Sequence, residues 1–343
     1  MVLHRDTGVV EHRHVGDIVE YMTPADLLVV NDTKVFPARL VGEWPDTHGA
    51  VEMLLVNAAP MDAELPSMSA PADSLRWNAI VGSGRKCREG QVASFGPGGE
   101  LTATLLRPLS GIGMWQVEFA CRRPLMDLLD EFGRTPVPPY VKREGTAAEE
   151  AEDRERYQTV YAREVGSVAA PTAGLHFTPE IFAALEAKGV RRVSVTLHVG
   201  PGTFRPVKAE NIEDHHMDFE AFSVPPETAA AVNACKARGG RVFCVGSTTV
   251  RTLETVAAAV AEDPGRAADE VVRAGCGASD IFIYPPYRFR VCDCMLTNFH
   301  LPQSTLLMMV SALAGRERVL CSYALAVRAN YQFFSYGDCM LIV

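Results

Sequence analysis

The chain has 343 residues, 48% of them apolar and 22% charged, with a formal net charge of −9. That length suits two domains whose cores need no disulfides. No window reaches the run of about 18 apolar residues that spans a bilayer, and the start, MVLHRDTGVVEHRH, lacks the apolar stretch of a secretory signal, so the expected setting is the cytoplasm.

Among the nine cysteines only Cys292 and Cys294 lie close together. A lone C-x-C is a poor zinc signal, so these read as small buried thiols and no metal is expected. The acidic balance speaks against indiscriminate nucleic-acid binding. Charge is uneven, however: Arg134, Lys142 and Arg143 precede an acidic run over Ala147–Glu155, and Arg85, Lys86 and Arg88 form a second basic cluster.

In chain order, Asp26–Val30 (DLLVV) reads as a buried strand opening into the polar turn Asn31-Asp32-Thr33-Lys34. From Ala38 to about Phe119 come short β-like runs, AVEMLLV, RWNAIV, QVASF, ELTATLL and MWQVEF, broken by Gly, Pro and Asp, with Asn57–Ser74 as a long loop. This spacing predicts a small all-β barrel or sandwich. After Pro139 the pattern changes. A helix is expected over Asp153–Arg163, and Thr178 is an N-cap for another, with Pro179 at its first position and Gly189 beyond its end. Strand VSVTLHV, helix Pro226–Arg238, strand RVFCV, helix Thr248–Glu262, strand DIFIY and helix Ser304–Leu313 follow. Such alternation predicts a mixed-sheet α/β domain from residues 1–37 and 137–343, with 38–136 inserted as the all-β domain.

The polar chemistry gathers in a few turns. Gly166–Val207 contains GSVAAPTAGLHFT and VTLHVGPGTFRPV, two Gly/Pro/Thr-rich turns carrying His176 and His198. Small residues let backbone N–H groups approach a ligand closely. RVFCV runs into Gly246-Ser247-Thr248-Thr249 at a helix start, where those hydroxyls either cap the helix or hold an anion. Asp214–Glu220 (DHHMDFE) sets His215 and His216 among carboxylates. Adjacent histidines in a strand face opposite sides, which disfavours a metal and leaves one as a base or hydrogen-bond partner. Leu296–Thr305 places Asn298 and His300 between apolar neighbours, with Gln303 or Ser304 as a cap, and FFSYGD over Phe333–Asp338 offers rings for a core or for a base. There is no P-loop, no G-x-G-x-x-G after a strand and no nucleophile elbow.

These strings, with NDTKVFPARL, PVPPYVKR, RYQTVYAR, VGSTTVRTLE, LTNFHLPQSTLLMMVSALAG and FFSYGDCMLI, resemble the S-adenosylmethionine:tRNA ribosyltransferase-isomerase family of queuosine biosynthesis over nearly the whole chain. The resemblance implies an α/β domain with an inserted β-barrel. It also implies transfer and isomerisation of the ribosyl group of S-adenosylmethionine onto 7-aminomethyl-7-deazaguanine in a GUN-type tRNA anticodon, giving epoxyqueuosine with release of adenine and methionine. S-adenosylmethionine is then a consumed donor, with no cofactor, no membrane partner and a monomeric enzyme.

For that chemistry His176, His198, His215 and His300 are candidate bases for the C5′ proton, and Asp32, Asp338 or a histidine a proton donor to adenine. Thr248, Thr249 and Arg251 suit the methionine carboxylate, and Tyr140, Phe299 and Tyr336 suit base stacking. The substrate-binding set is Asn31, Thr33, Arg39, Thr172, Gly174, Gly202, Thr203, Arg205, Ser247, Thr248, Thr249, Arg251, Asn298, Gln303, Ser304, Ser335 and Tyr336. Arg134, Tyr140, Lys142, Arg143 and Arg205 are expected against the tRNA. The chain departs from the family pattern in lacking a charged leader before MVLHRDTGVV, in Asp218 where a histidine is usual, and in Pro201 and Pro286. Two other readings follow: a degenerate homologue that binds without turnover, and an ordinary methyltransferase.

Overall fold

The computed structural model describes residues 1–58, 72–84, 86–121, 123–138, 140–141, 143–144, 146–200, 202 and 211–343. Two compact units emerge. One comprises Met1–Lys34, Gln158–Glu164 and Ala170–Val343; the other comprises Val35–Tyr157 with Val165–Ala169, and so takes in residues 137–157 as well as the barrel.

The chain opens with β1 (Val2–Leu3), β2 (Val10–Glu11), the short helix α1 (Ile18–Tyr21), β3 (Leu27–Asn31) and β4 (Thr33–Val35). Six strands follow: β5 (Arg39–Trp44), β6 (Gly49–Ala58), β7 (Ala72–Ser83), β8 (Val92–Phe95), β9 (Leu101–Pro108) and β10 (Met114–Cys121). They close in the order β10-β7-β6-β5-β8-β9. Closure leaves no unpaired edge, and the inward half of each alternating strand fills the centre: Leu40, Trp44, Met53, Leu55, Trp77, Phe95 and Phe119 are buried there. Gly42 is needed where β5 crosses β8, because a Cβ would strike the Ser94 carbonyl and the Phe95 ring. The two ends of the loop expected over 57–74 belong to β6 and β7, and its residues 59–71 lie outside the described residues.

Helix α2 (Leu125–Phe132) buries Leu125, Leu128 and Leu129 in the barrel cluster. Helix α3 (Ala147–Arg156) corrects the helix expected over 153–163. Thr146 and Glu149 form a capping box that starts it early, acids occupy its first turn and Arg154 and Arg156 its last, and Tyr157 leaves the helical conformation. The acidic run is thus a helix complementing its own dipole.

Beyond β11 (Glu164–Ser167), which pairs with β4, come α4 (Pro179–Ala187), β12 (Arg191–Leu197), β13 (Glu220–Val224), α5 (Pro226–Ala237), β14 (Val242–Val245) and α6 (Gly246–Glu262). The chain finishes with β15 (Gly275–Ser279), β16 (Cys294–Asn298), α7 (Thr305–Ala314), α8 (Arg316–Arg328) and β17 (Cys339–Ile342). Thr178 caps α4 by accepting from Ile181 N, and Gly189 follows at φ 85°. The nine-stranded sheet runs β15-β13-β12-β3-β14-β16-β17-β1-β2. Its centre, β12-β3-β14-β16, is parallel, so β3 must be apolar on both faces. Leu28 and Val30 pack with Phe177 and Leu185 on one side, while α5 and α6 pack on β3, β12 and β14.

One expectation fails here, and two elements were missed. DIFIY is not a strand: β15 precedes it, and its apolar residues are there for burial, Ile283 being 1% exposed. The polar-looking CMLTN is the buried strand β16, and RERVLCSYALAVR is helix α8; neither was anticipated. All nine cysteines are free. No helix among the described residues is long and apolar enough to cross a membrane.

Candidate active site

In the parallel centre of the sheet, β3 leads the chain to β12 on one side, whereas β14 leads it to β16 on the other. The carboxyl ends of β3 and β14 therefore diverge, and a crevice opens between their following loops, which is where open α/β sheets bind ligands. Asn31 at the end of β3 spans it. Its amide nitrogen donates to Leu197 O (3.0 Å) and Thr248 Oγ1 (3.1 Å), and its Oδ1 accepts from Leu197 N (3.0 Å) and Thr33 N (3.2 Å). With all its capacity used and no exposure, Asn31 is a brace that joins β3, β12 and α6.

Asp32 accepts from Thr196 Oγ1 (2.7 Å) and from the guanidinium of Arg163 (2.9 Å). Thr33 Oγ1 lies 2.8 Å from His198 Nδ1 and 3.5 Å from the Glu164 carbonyl. With the hydroxyl donating to that carbonyl, Nδ1–H donates to Thr33 and His198 Nε2 keeps its lone pair. Burial pushes the pKa of His198 below the usual histidine value, opposed by the charges of Glu164 and Asp32. It is therefore neutral at physiological pH.

His176 ends a short 3-10 turn, Thr172–His176. Its Nε2 lies 3.1 Å from Asn298 Nδ2, which also reaches the carbonyls of Phe334 (3.2 Å) and Ser335 (3.3 Å). Two carbonyls beside one amide group demand the nitrogen there, so the Asn298 N–H also donates to His176 Nε2 and the ring carries its proton on Nδ1. Asn298 is buried and its Oδ1 has no partner among the described residues. Burial lowers the pKa of His176, against the raising effect of Asp338. Asp338 accepts from Gln332 N (2.7 Å), and with His176, Arg13, Tyr21 and Tyr331 it lines a cavity of about 190 Å³. Phe334 adopts φ 74°, a left-handed conformation unusual for an aromatic residue, and it and Tyr336 expose 39% and 43% of their surface.

Helix α6 begins with no side-chain cap. Thr249 donates instead to Val245 O (2.7 Å), while Thr248 receives Asn31, so neither caps the helix. Its first N–H groups are the free donors of a helix start. Arg251, one turn on, forms a buried ion pair with Glu220 and donates to Ser279 O (3.1 Å), leaving its Nε without a partner among the described residues. Ser247, Thr248 and Arg251 face Met217, Phe282 and Met309 across a small apolar pocket. His215 packs edge-on against Phe282. It and the exposed His216 follow a 3-10 turn rather than lying in a strand, so the alternation expected for them does not apply.

Other candidates separate from these groups. His300 hydrogen-bonds Thr297 Oγ1 (2.7 Å), its backbone N–H donates to Tyr323 Oη (3.0 Å), and burial pushes its pKa down to about 4, which makes it a feeble base. Phe299 is 0% exposed and packed among Tyr323, Tyr331 and Phe333, so it cannot stack on a base and is a correction to the expected platforms. Ser304 is the N-cap of α7, accepting from Leu307 N, and Gln303 sits beside it at φ 60°. Gly174 admits the Tyr161 hydroxyl, which a Cβ would strike, and Gly202 likewise admits the Asp218 carboxylate. Thr172 is half-buried, and Ser335 is buried.

In the barrel unit Arg39 forks onto Glu52 (2.8 and 2.9 Å) and its backbone pairs with that of Arg134. Arg143 forks onto Asp153, and Tyr140 is 43% exposed. Thr203, Arg205, Pro201, Lys142 and Arg85 lie outside the described residues. Sequence reasoning missed Arg163, Thr196 and Glu220, whose roles come from partners distant in sequence, and Glu254, which accepts from three backbone N–H groups at Arg290–Cys292. Among the described residues no group of three or more His, Cys, Asp or Glu side chains could hold a metal ion.

A family model described as "Queuosine biosynthesis protein" matches residues 1–342. The S-adenosylmethionine:tRNA ribosyltransferase-isomerase of Moorella thermoacetica is 48% identical over 344 residues, covering 100% of this chain and 92% of that protein. The crystal structure of an S-adenosylmethionine tRNA ribosyltransferase from Thermotoga maritima is 33% identical and covers 100% of this chain and 91% of that one, with a TM-score of 0.49.

Proposed function

The chain belongs to the queuosine biosynthesis protein family, and on that premise we propose that it is an S-adenosylmethionine:tRNA ribosyltransferase-isomerase with His198 as its base. It takes S-adenosylmethionine as a consumed ribosyl donor and a cytoplasmic tRNA whose GUN anticodon carries 7-aminomethyl-7-deazaguanine. The product is epoxyqueuosine-tRNA, with adenine and methionine released.

The observation that carries the assignment is the opposite state of the two histidines. His198 is held through Nδ1 by Thr33, leaving Nε2 to take the C5′ proton that the neighbouring sulfonium acidifies. At His176, Nε2 is taken by Asn298, so this ring offers an N–H. It suits a hydrogen bond from Nδ1–H to adenine as the base departs. Methionine leaves as a neutral thioether. Its carboxylate suits Ser247 and the uncapped start of α6 better than Arg251, whose charge Glu220 already balances. Asp32, occupied by Thr196 and Arg163, positions its neighbours. Phe334 and Tyr336 are exposed rings for the unstacked base.

The test is incubation with S-adenosylmethionine and tRNA bearing the aminomethyl base. Adenine release with a matching mass gain on the tRNA is expected. Binding without adenine release would leave a degenerate homologue, and S-adenosylhomocysteine would mean methyl transfer.

A further inference from the structure

We propose that a cavity beside Asp32, lined by Arg163, Arg191 and Arg192, docks the phosphodiester backbone of the tRNA; this rests on the reading above and adds a site to it. The cavity is about 290 Å³ and also presents Ser194 and Thr228. It lies along an open strand edge. Over Arg191–Ser194, β12 pairs with β3 alone, because β13 joins β12 only at Thr196. There the Thr228 hydroxyl donates to Ser194 O (2.6 Å), and Arg191 and Arg192 stand beside it.

Each arginine is held differently. Arg163 is anchored by Asp32 and Glu164, both at 2.9 Å, yet its side chain remains 63% exposed. Arg192 lies 4.1 Å over the Phe182 ring, a contact that steadies the guanidinium while leaving its N–H edge for an acceptor. The side chain of Arg191 has no hydrogen-bond or ion-pair partner among the described residues and is exposed. Asp32 and Glu227 are the carboxylates of the lining; with Asp32 and Glu164 engaged by Arg163, Arg191 and Arg192 are the guanidinium groups that meet an anion there. Guanidinium forks match phosphate oxygens bidentately. The cavity also borders Asp32, next in sequence to Thr33, which holds His198.

The test is tRNA binding by the full chain across a salt series, for the unsubstituted protein, Arg191→Gln and Arg191→Gln/Arg192→Gln, with thermal unfolding as the folding control. Each lost contact should weaken binding and flatten the slope of log K against log salt by about 0.7–0.9. KM for S-adenosylmethionine and kcat at saturating tRNA should stay unchanged. Equal affinity and slope in Arg191→Gln would overturn the inference while leaving the enzyme reading intact. Failure of the unsubstituted chain both to bind tRNA and to release adenine would overturn that reading, and this one with it. Inorganic phosphate should compete with tRNA no better than chloride at equal ionic strength. Phosphate binding that Arg191→Gln abolishes without weakening tRNA would assign the cavity to a free anion and overturn the docking role.

Discussion

Replacing Glu220 with Gln removes one charge from a pair whose side chains are 4% and 5% exposed. The Gln oxygen can still accept from Gly200 N, which Glu220 Oε1 meets at 2.9 Å, so shape and that bond are kept. What changes is that the Arg251 guanidinium is left buried with Ser279 O as its remaining acceptor, and Nε already without a partner, among the described residues. Breaking a buried pair in this way costs about 3–5 kcal/mol, a large part of a total stability of about 5–15 kcal/mol. With a urea m-value of about 3 kcal/mol/M, the unfolding midpoint should fall by about 1–2 M. Far-UV circular dichroism is the right probe, because the three tryptophans, Trp44, Trp77 and Trp115, all belong to the barrel unit. The double change Glu220→Leu/Arg251→Met should recover most of the loss, since an apolar pair of similar volume needs no charge balance. A loss below about 1 kcal/mol for Glu220→Gln, or a double variant as unstable as the summed singles, would refute this account.

His300 should make the protein acid-sensitive. Its folded pKa of about 4 lies below the unfolded value of 6.5, so the unfolded chain binds the proton first and stability falls as pH drops from about 6.5 to about 4. The loss is about 3 kcal/mol; denaturation of His300→Asn at pH 7 and pH 4 should show a pH dependence smaller by that amount, and an unchanged dependence would count against it. Phe299→Ala should cost about 3–5 kcal/mol of stability, whereas Tyr336→Ala should leave the midpoint unchanged and raise KM for tRNA. A reversal of those two readouts would return Phe299 to the base-binding surface. Gly174→Ala should destabilise by about 1–3 kcal/mol through collision with the Tyr161 hydroxyl and the Thr159 methyl, and Tyr161→Phe should relieve part of it; no relief at all would count against the hydroxyl contact.

Polar residues in apolar strings stand out, which is why the candidate residues were legible in the sequence. The structure pairs Asn31 with Thr248, Thr33 with His198 and His176 with Asn298, and the barrel followed from its regular strands and turns. Partnerships were not legible. His176 differs from His198 through Asn298, 122 residues away in sequence, and Arg251 loses its role as a free cation to Glu220 on another strand. The same physics misled the reading of elements. DIFIY is apolar because Ile283 and its neighbours pack inward, and a short apolar run does not reveal its conformation. In β16, Thr297 and Asn298 are buried polar residues with partners to hand, so a fully buried strand looked like a loop.

The most direct test is the adenine-release rate of His198→Gln, measured at saturating S-adenosylmethionine and tRNA. With His198 as the base, the rate should fall by about 10²–10⁴, while the unfolding midpoint shifts by no more than the single Thr33 hydrogen bond, about 0.5–1.5 kcal/mol. Turnover near that of the unsubstituted protein, or a stability loss large enough to account for the fall, would contradict it.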